Sequence, residues 1–560
     1  MPQHYLFTLL VSGMSKTSSV FVHLKSDFSA GLVIFLIALP LCLGIALASG
    51  APLFSGIISG VIGGILVGVI SNSHLSVSGP AAGLTAIVLS AISELGTFEL
   101  FLTAVVFAGC IQLLLGFIKA GTISNYFPNN VIEGMLAAIG LVIFLKQLPH
   151  AVGYDPDFEG DEAFIQADGQ NTLSELFAVL NHVHFGAITI ALITLVLLIV
   201  WPKIKLLQNF KFIPPALVAV LIGIVLNVFW MQDGSKLAIS GDHLVQLPVP
   251  DTLDAWINTF QNPDFSQLGN SKLWMVAFTI AIVASIETLL CIEAADRMDI
   301  YKRYTNTNLE LKAQGIGNII SGFLGGLPMT SVVVRTSANA ASGARSKMST
   351  IIHGVLLLLC AVLIPKYLNM IPKATLAAVL LLVGYKLANP KMFWQFYKRG
   401  HFQYIPFVAT VLGVVFIDLL KGVALGLLIN ILFILWGNMK QAYVFRPLHL
   451  KDSGRIHIDL AQEVSFLNKM EIKNTLNNIP NGAHVVIDAT QTVYIAHDVQ
   501  DLIREFYEIN AIEKEISVEL IGFKESYDLE NTQNITTKVE QKYNVQRRRL
   551  EPIIKKEHSK

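Results

Sequence analysis

Apolar runs close to the roughly 20 residues that cross a bilayer as a helix recur from about residue 28 to about residue 438. Residues 31–49, 103–118, 186–201, 273–292, 351–365 and 407–417 are the clearest. Others are short or interrupted by Gly and Pro. The pattern predicts about fourteen membrane segments, near 28–49, 51–71, 79–93, 98–117, 127–147, 184–202, 212–231, 272–295, 310–326, 328–341, 349–365, 373–389, 403–419 and 421–438. The chain is expected to be an all-α polytopic membrane protein.

Past residue 440 the pattern changes. "RIHIDLAQEVSFLN", "HVVIDAT" (484–490) and "SVELIGF" (517–523) have strand-like spacing, while "DVQDLIREFYEI" (498–509) reads as an amphipathic helix. Alternating strands and helices predict a small α/β domain of roughly 90 residues. The expected organisation is a segment 1–26, a membrane domain 27–439 built from repeats 27–231 and 272–439, an α/β domain 440–545 and a charged tail 546–560.

Composition agrees. Hydrophobic residues make up 53% and charged residues 14%, against about a quarter charged in soluble chains. The net charge of zero gives no reason to expect a nucleic-acid partner. Cys42, Cys110, Cys291 and Cys360 fall inside apolar segments without disulfide or metal spacing. The first 20 residues lack a basic n-region, so no cleaved signal peptide is expected. With the N-terminus in the cytoplasm, the inward loops carry Lys119, Lys203, Lys205, Lys211, Arg297, Lys302, Arg303, Arg345, Lys347, Lys391, Lys398 and Arg399. The outward loop 149–183 has no Lys or Arg but holds Asp155, Asp157, Glu159, Asp161, Glu162, Asp168 and Glu175. That is the positive-inside distribution, with both termini cytoplasmic in a cell inner membrane. Lys366 and Lys373 run against it.

Fourteen segments split seven plus seven around the polar stretch 232–271, and an odd number per half gives the halves opposite topology. This is the inverted repeat of secondary transporters. The third segments of the halves match: "SVSGPAAGLTAIV" (76–88) predicts a short helix beginning at Pro80, and "GGLPMTSVVV" (325–334) one beginning at Pro328. Amides at such helix starts lack partners and carry partial positive charge, so two of them meeting near the midplane attract an anion. Pro328, Ser331 and Arg335 have the i, i+3, i+7 spacing of one helix face. An intramembrane arginine is expensive and is normally functional. Glu287, midway along its own apolar segment, is the expected partner; it could carry a proton, hold a cation or neutralise Arg335. Cys291, one turn on, reads as packing, and Glu293, Asp296 and Glu133 as solvated or interfacial.

These residues resemble a known family. "DFSAGLVIFLIALPLCLGIALASG", "SGPAAGLTAIV", "GIGNIISGFLGGLPMTSVVVRTSANAASGARS" and "IPKATLAAVLLLVGYKL" together resemble the SulP family of sulfate-permease-type anion transporters. The last part resembles a STAS domain, although His497 and Asp498 stand near the place where phosphorylatable relatives have Asp-Ser-Gly. The resemblance implies a mobile core of segments 1–4 and 8–11 and a gate of segments 5–7 and 12–14. It also implies elevator-like motion and a homodimer in the lipid bilayer. By motif, a small inorganic anion would sit between Ser78, Gly79, Pro80 and Ala81 on one side and Ser331, Val332 and Val333 on the other. Arg335 matches the family's arginine on the tenth segment and Glu287 the acidic position of the eighth. Sodium-coupled bicarbonate members have a hydroxyl one turn after that acid, where this chain has Cys291. Coupling to H+ or Na+ therefore stays open, and no other cofactor is expected. Sulfate-type members often read Pro-Gln in the first segment; here Pro40-Leu41 removes an amide donor, which favours a smaller anion such as bicarbonate.

The expected function is secondary active transport of sulfate- or bicarbonate-class anions. The alternatives are an uncoupled anion channel or exchanger, and a nucleobase-type transporter of the same architecture. No nucleophile–base pair, metal-ligand set or phosphate loop points to an enzyme.

Overall fold

The computed structural model describes residues 23–531, apart from 157–163, 165–170, 180–181, 205–213, 248, 250–259, 441–442, 447–454, 528 and 530. Nearly all of the expected segment 1–26, the tail 546–560 and most of the acidic residues of 149–183 lie outside the described residues. The chain divides after Asn430 into two compact units.

The first unit is helical. Its first half supplies the helices α1 (Leu24–Ala48), α2 (Leu53–Ile70), α3 (Thr85–Leu95), α4 (Phe98–Phe117), α5 (Asn129–Val152), α6 (Phe185–Val200) and α7 (Pro215–Gln232). The second half supplies α8 (Ser271–Met298), α9 (Thr307–Phe323), α10 (Val333–Ala341), α11 (Met348–Leu363), α12 (Lys373–Leu387), α13 (His401–Phe416) and α14 (Leu419–Lys440). Among the described residues, nine helices are long and apolar enough to cross a membrane. Exposed apolar side chains cover them, such as Leu192, Val225, Phe229 and Leu428, as a lipid-facing surface requires.

The helices pack as two groups. In one, α4 lies against α8 and α9, and α1 against α2 and α11; in the other, α12 and α13 lie against α5, and α6 against α7 and α12. Small residues let the backbones touch. A Cβ on Gly109 of α4 would stand 2.6 Å from the Gly315 carbonyl oxygen of α9. One on Gly140 of α5 would stand 2.8 Å from the Gly384 carbonyl oxygen of α12.

The two short segments are corrected in detail. Neither Pro80 nor Pro328 starts a helix. Ser78–Pro80 is a strand, β1, paired antiparallel with β2, Met329–Ser331. Ser78 faces Ser331, Gly79 faces Thr330 and Pro80 faces Met329. A 3-10 turn over Ala82–Leu84 leads into α3, and α10 begins only at Val333. The strands form because each half supplies three extended residues whose backbone groups, buried in a membrane protein, need partners. Pro328 and Ser331 therefore do not share a helix face with Arg335, which sits in the first turn of α10.

The second unit carries an α/β domain of STAS-like kind. Its sheet has the order β3 (Tyr443–Arg446), β4 (Arg455–Leu460), β6 (His484–Asp488), β8 (Ser517–Ile521), parallel except for β3. A small parallel pair joins β5 (Glu463–Val464) and β7 (Tyr494–Ile495). Ile472 and Leu476 of α15 (Lys469–Asn477) and Val499 and Ile503 of α16 (His497–Glu505) share one core with Ile458, Val485, Ile487 and Leu520. His497 and Asp498 open α16 and are exposed.

Candidate functional site

The β1–β2 ladder sets the site. Antiparallel strands leave in opposite directions, so α3 and α10 begin at opposite ends of a shared buried platform. A further bond from the Val332 N–H to the Val77 carbonyl, 2.9 Å, extends the pairing. The first amides of each helix have no partner four residues back. Beside them, Leu41 of α1, Ala81, Val332, Val333 and Cys291 belong to one apolar cluster that continues into α5 and α12. The sequence-predicted residues are thus brought together where the two helix groups meet.

Side chains alternate across a strand, so the ladder has two faces. On the Ser78–Ser331 face, the Ser331 hydroxyl lies 2.5 Å from that of Ser76 and donates to the Cys291 sulfur at 2.9 Å. The Ser331 N–H donates to the Thr288 hydroxyl at 3.3 Å. The Ser78 hydroxyl accepts from the Gln314 amide of α9 at 2.6 Å. Both serine hydroxyls are therefore engaged within the protein. Cys291, expected only to pack, also anchors β2.

Arg335 takes the other face. It is fully buried, and among the described residues its three guanidinium nitrogens meet no oxygen or nitrogen acceptor, the Cys42 thiol being a weak sulfur contact. A Cβ on Gly79 would stand 2.2 Å from its Nη1, so a side chain there would push the guanidinium aside. Cys42 of α1 and His353 of α11 lie within its field. His353 is itself fully buried, with neither ring nitrogen hydrogen-bonded.

Glu287, expected to carry a proton, hold a cation or neutralise Arg335, gives the guanidinium no hydrogen bond. Its carboxylate oxygens lie 3.1 and 3.3 Å from where a Cβ on Gly83 would stand, at the 3-10 turn before α3. The reason is geometric: Glu287 rides on α8 with Thr288 and Cys291, which hold the Ser331 face, while Arg335 lies under Gly79. Glu133, expected at an interface, stands 3.6 Å from Arg297, and both are partly exposed.

Sequence reasoning missed the scaffold behind the ladder. Asn318 of α9 accepts from the Met329 N–H at 2.7 Å and donates to the Met329 carbonyl at 3.1 Å. Gln314 links Ser78 to the buried Glu310, whose other oxygen accepts from the Ser71 hydroxyl. The Thr336 hydroxyl accepts from the Val77 N–H at 3.1 Å, and Thr350 donates to the Ser76 carbonyl at 3.0 Å. A signal was available: Glu310, Gln314, Asn318 and Ser321 mark one face of α9 at helical spacing.

The Sulfate permease family model matches residues 24–410. The chain is 30% identical over 433 residues, 77% of this chain and 75% of the relative, to YvdB of Bacillus subtilis, a protein named for sulfate transport. Its fold matches the transmembrane domain of a cyanobacterium bicarbonate transporter, BicA, with TM-score 0.50 and 26% identity over 71% of this chain and 97% of the other. It also matches the overall structure of SLC26A9 with TM-score 0.62, at 15% identity over 94% and 89%, a likeness of fold.

Proposed function

Since the chain belongs to the sulfate permease family, a family of transporters and not enzymes, we propose that it is a secondary active transporter of a small inorganic anion of the sulfate or bicarbonate class. The anion binds between the starts of α3 and α10, and both termini face the cytoplasm. The group holding the ladder slides as an elevator against the group built on α5 and α12, and the protein works as a homodimer.

One observation carries this reading: two helix starts converge on a buried two-stranded ladder, with a buried arginine beneath it that meets no oxygen or nitrogen acceptor among the described residues. Amide ends supply hydrogen-bond donors without a counter-charge, and Arg335 adds a positive field one peptide layer away. Leu41, Ala81, Val332 and Val333 present no side-chain donor. A small anion that sheds its water easily suits such a wall better than a doubly charged one, which favours bicarbonate over sulfate. Coupling falls to α8. Glu287 reaches the turn before α3, and its neighbours Thr288 and Cys291 hold β2, so a proton or Na+ taken up there acts on both helix starts.

Purified protein in proteoliposomes, given labelled sulfate or bicarbonate with sodium and pH gradients imposed one at a time, tests the reading. Gradient-driven accumulation of one anion is expected. If neither anion accumulates or exchanges under any gradient, the reading fails.

A further inference from the structure

Lys373 breaks two rules at once. It is a cation on the acid-rich, outward side of the proposed topology. It is also the first residue of α12, after the N-cap Pro372 and with no acidic residue in that first turn, so it sits against the positive end of a helix. Violations of local preference concentrate at functional positions.

Its surroundings do not repair the mismatch. Lys373 is half-buried and makes no hydrogen bond or ion pair with any described residue. It lines a cavity of about 300 Å³ together with Pro40 and Gly44 of α1, Asp155, Asp242 and Gln246. The two carboxylates of the lining take their hydrogen bonds from other residues, and Asp155 also lies within the field of Lys373. Asp155 has one oxygen 2.5 Å from His150 Nδ1 and the other 2.6 Å from His243 Nδ1. Asp242 accepts from the Gln246 amide at 2.9 Å. The ammonium is thus the only cation among the described lining residues, facing Asp155 and Asp242 without a hydrogen bond to either. At roughly 30 Å³ per water the cavity holds a small anion with part of its hydration shell. Pro40 in its wall directly precedes Leu41, which packs with Ala81, Val332 and Val333.

Building on the anion-transport reading, we propose that this cavity is an outer anion-binding vestibule in which Lys373 captures a small inorganic oxyanion and passes it to the helix starts. The lysine draws the anion in through long-range attraction and leaves release to the neutral wall beyond Pro40.

The full chain in sidedness-sorted proteoliposomes tests this. Lys373→Gln should raise the half-saturating concentration of the transported anion about three- to tenfold when it is offered from the face carrying Lys373. The maximal rate and transport from the opposite face should stay within twofold, and Lys373→Arg should restore affinity. A second measurement needs no transport. Sulfate or bicarbonate should protect Lys373, but not the exposed Lys366, from a membrane-impermeant acylating reagent read by mass spectrometry. An unchanged half-saturation in a transporting protein, an equal change from both faces, or no protection overturns the vestibule. Saturable protection in a protein that moves neither anion keeps the vestibule and removes the transport reading instead.

Discussion

The broken segments of the two halves share a backbone plan and differ in almost everything else. Each runs three residues as a strand and then becomes a short helix. The first is apolar: its buried positions in α3 are Val88, Ala91 and Leu95, and Leu89 is exposed. The second buries Arg335, Thr336, Ser337 and Asn339 within one short helix. The Asn339 amide donates to the Leu75 carbonyl at 2.8 Å, so α10 also secures the chain leading into β1. Duplicated backbone geometry supplies two amide-rich ends and each half helps anchor the other, Ser59 of α2 donating to the Leu327 carbonyl at 2.8 Å, while the buried charge comes from the second half. An anion-attracting site needs the amide ends twice and the charge only once.

The sharpest way to break this pairing is through Asn318. Asn318→Leu removes both partners of the Met329 backbone, leaving two buried groups unmet at about 1–3 kcal/mol each. Thermal unfolding in detergent should show a large loss of stability; a loss under about 1 kcal/mol would mean that β1, Thr288 and Cys291 hold β2 without Asn318. Gly79→Ala comes next, because the new methyl overlaps Arg335 Nη1; overpacking of this kind costs about 1–3 kcal/mol. Gly83→Ala, whose methyl meets Glu287 Oε1 at 3.1 Å, should cost clearly less. Equal effects at the two glycines would contradict the asymmetry.

Functional changes sharpen the same contrast. Arg335→Gln should weaken anion affinity about tenfold with the protein still folded, since a field acting through one peptide layer is worth about 1–2 kcal/mol. Unchanged affinity would take Arg335 out of the site. Glu287→Gln should abolish gradient-driven accumulation but spare anion exchange; surviving accumulation would move the coupling role elsewhere.

The smallest effect is expected at the clamp near the vestibule. Burial alone would push the Asp155 carboxyl up, but hydrogen bonds from His150 and His243 outweigh it and bring it down to about 2. The bond to Asp155 raises the His243 imidazole against the effect of its burial. A raised histidine stabilises fully below its unfolded value, near 6.5, and loses that contribution as pH rises through the folded value. A lowered carboxylate contributes above its unfolded value, near 3.9, and loses it as pH falls towards about 2. The clamp is therefore strongest between about pH 4 and 6.5. The difference in melting temperature between the wild type and His243→Gln should shrink as pH is raised from 6 towards 9. A difference that stays constant would show that His243 acts only by packing.

Much of this architecture was legible because bilayer burial leaves a plain mark. Every apolar run near spanning length became a helix close to its expected limits, and Arg335 stood out as a cation in apolar surroundings. The helix starts were misjudged because three extended residues are too few to show a period of two, and proline reads equally well as a strand end or as the first residue of a helix. Asn318 and Gln314 escaped notice for a related reason. Their partners, Met329 and Ser78, lie on strands that only folding places beside α9.

The sequence by itself determined that this chain lives in a membrane, how many times its apolar runs recur, and that its two halves carry matching interruptions. Those properties are local: hydropathy and Gly/Pro placement act within a few residues. The tertiary structure decided that the interruptions pair as strands, that Arg335 lies under Gly79 while Glu287 reaches the turn before α3, and that Lys373 opens onto a cavity beside Pro40. These depend on which face of a strand or helix meets which neighbour, and that is settled only when residues from opposite halves of the chain satisfy one another's buried hydrogen bonds.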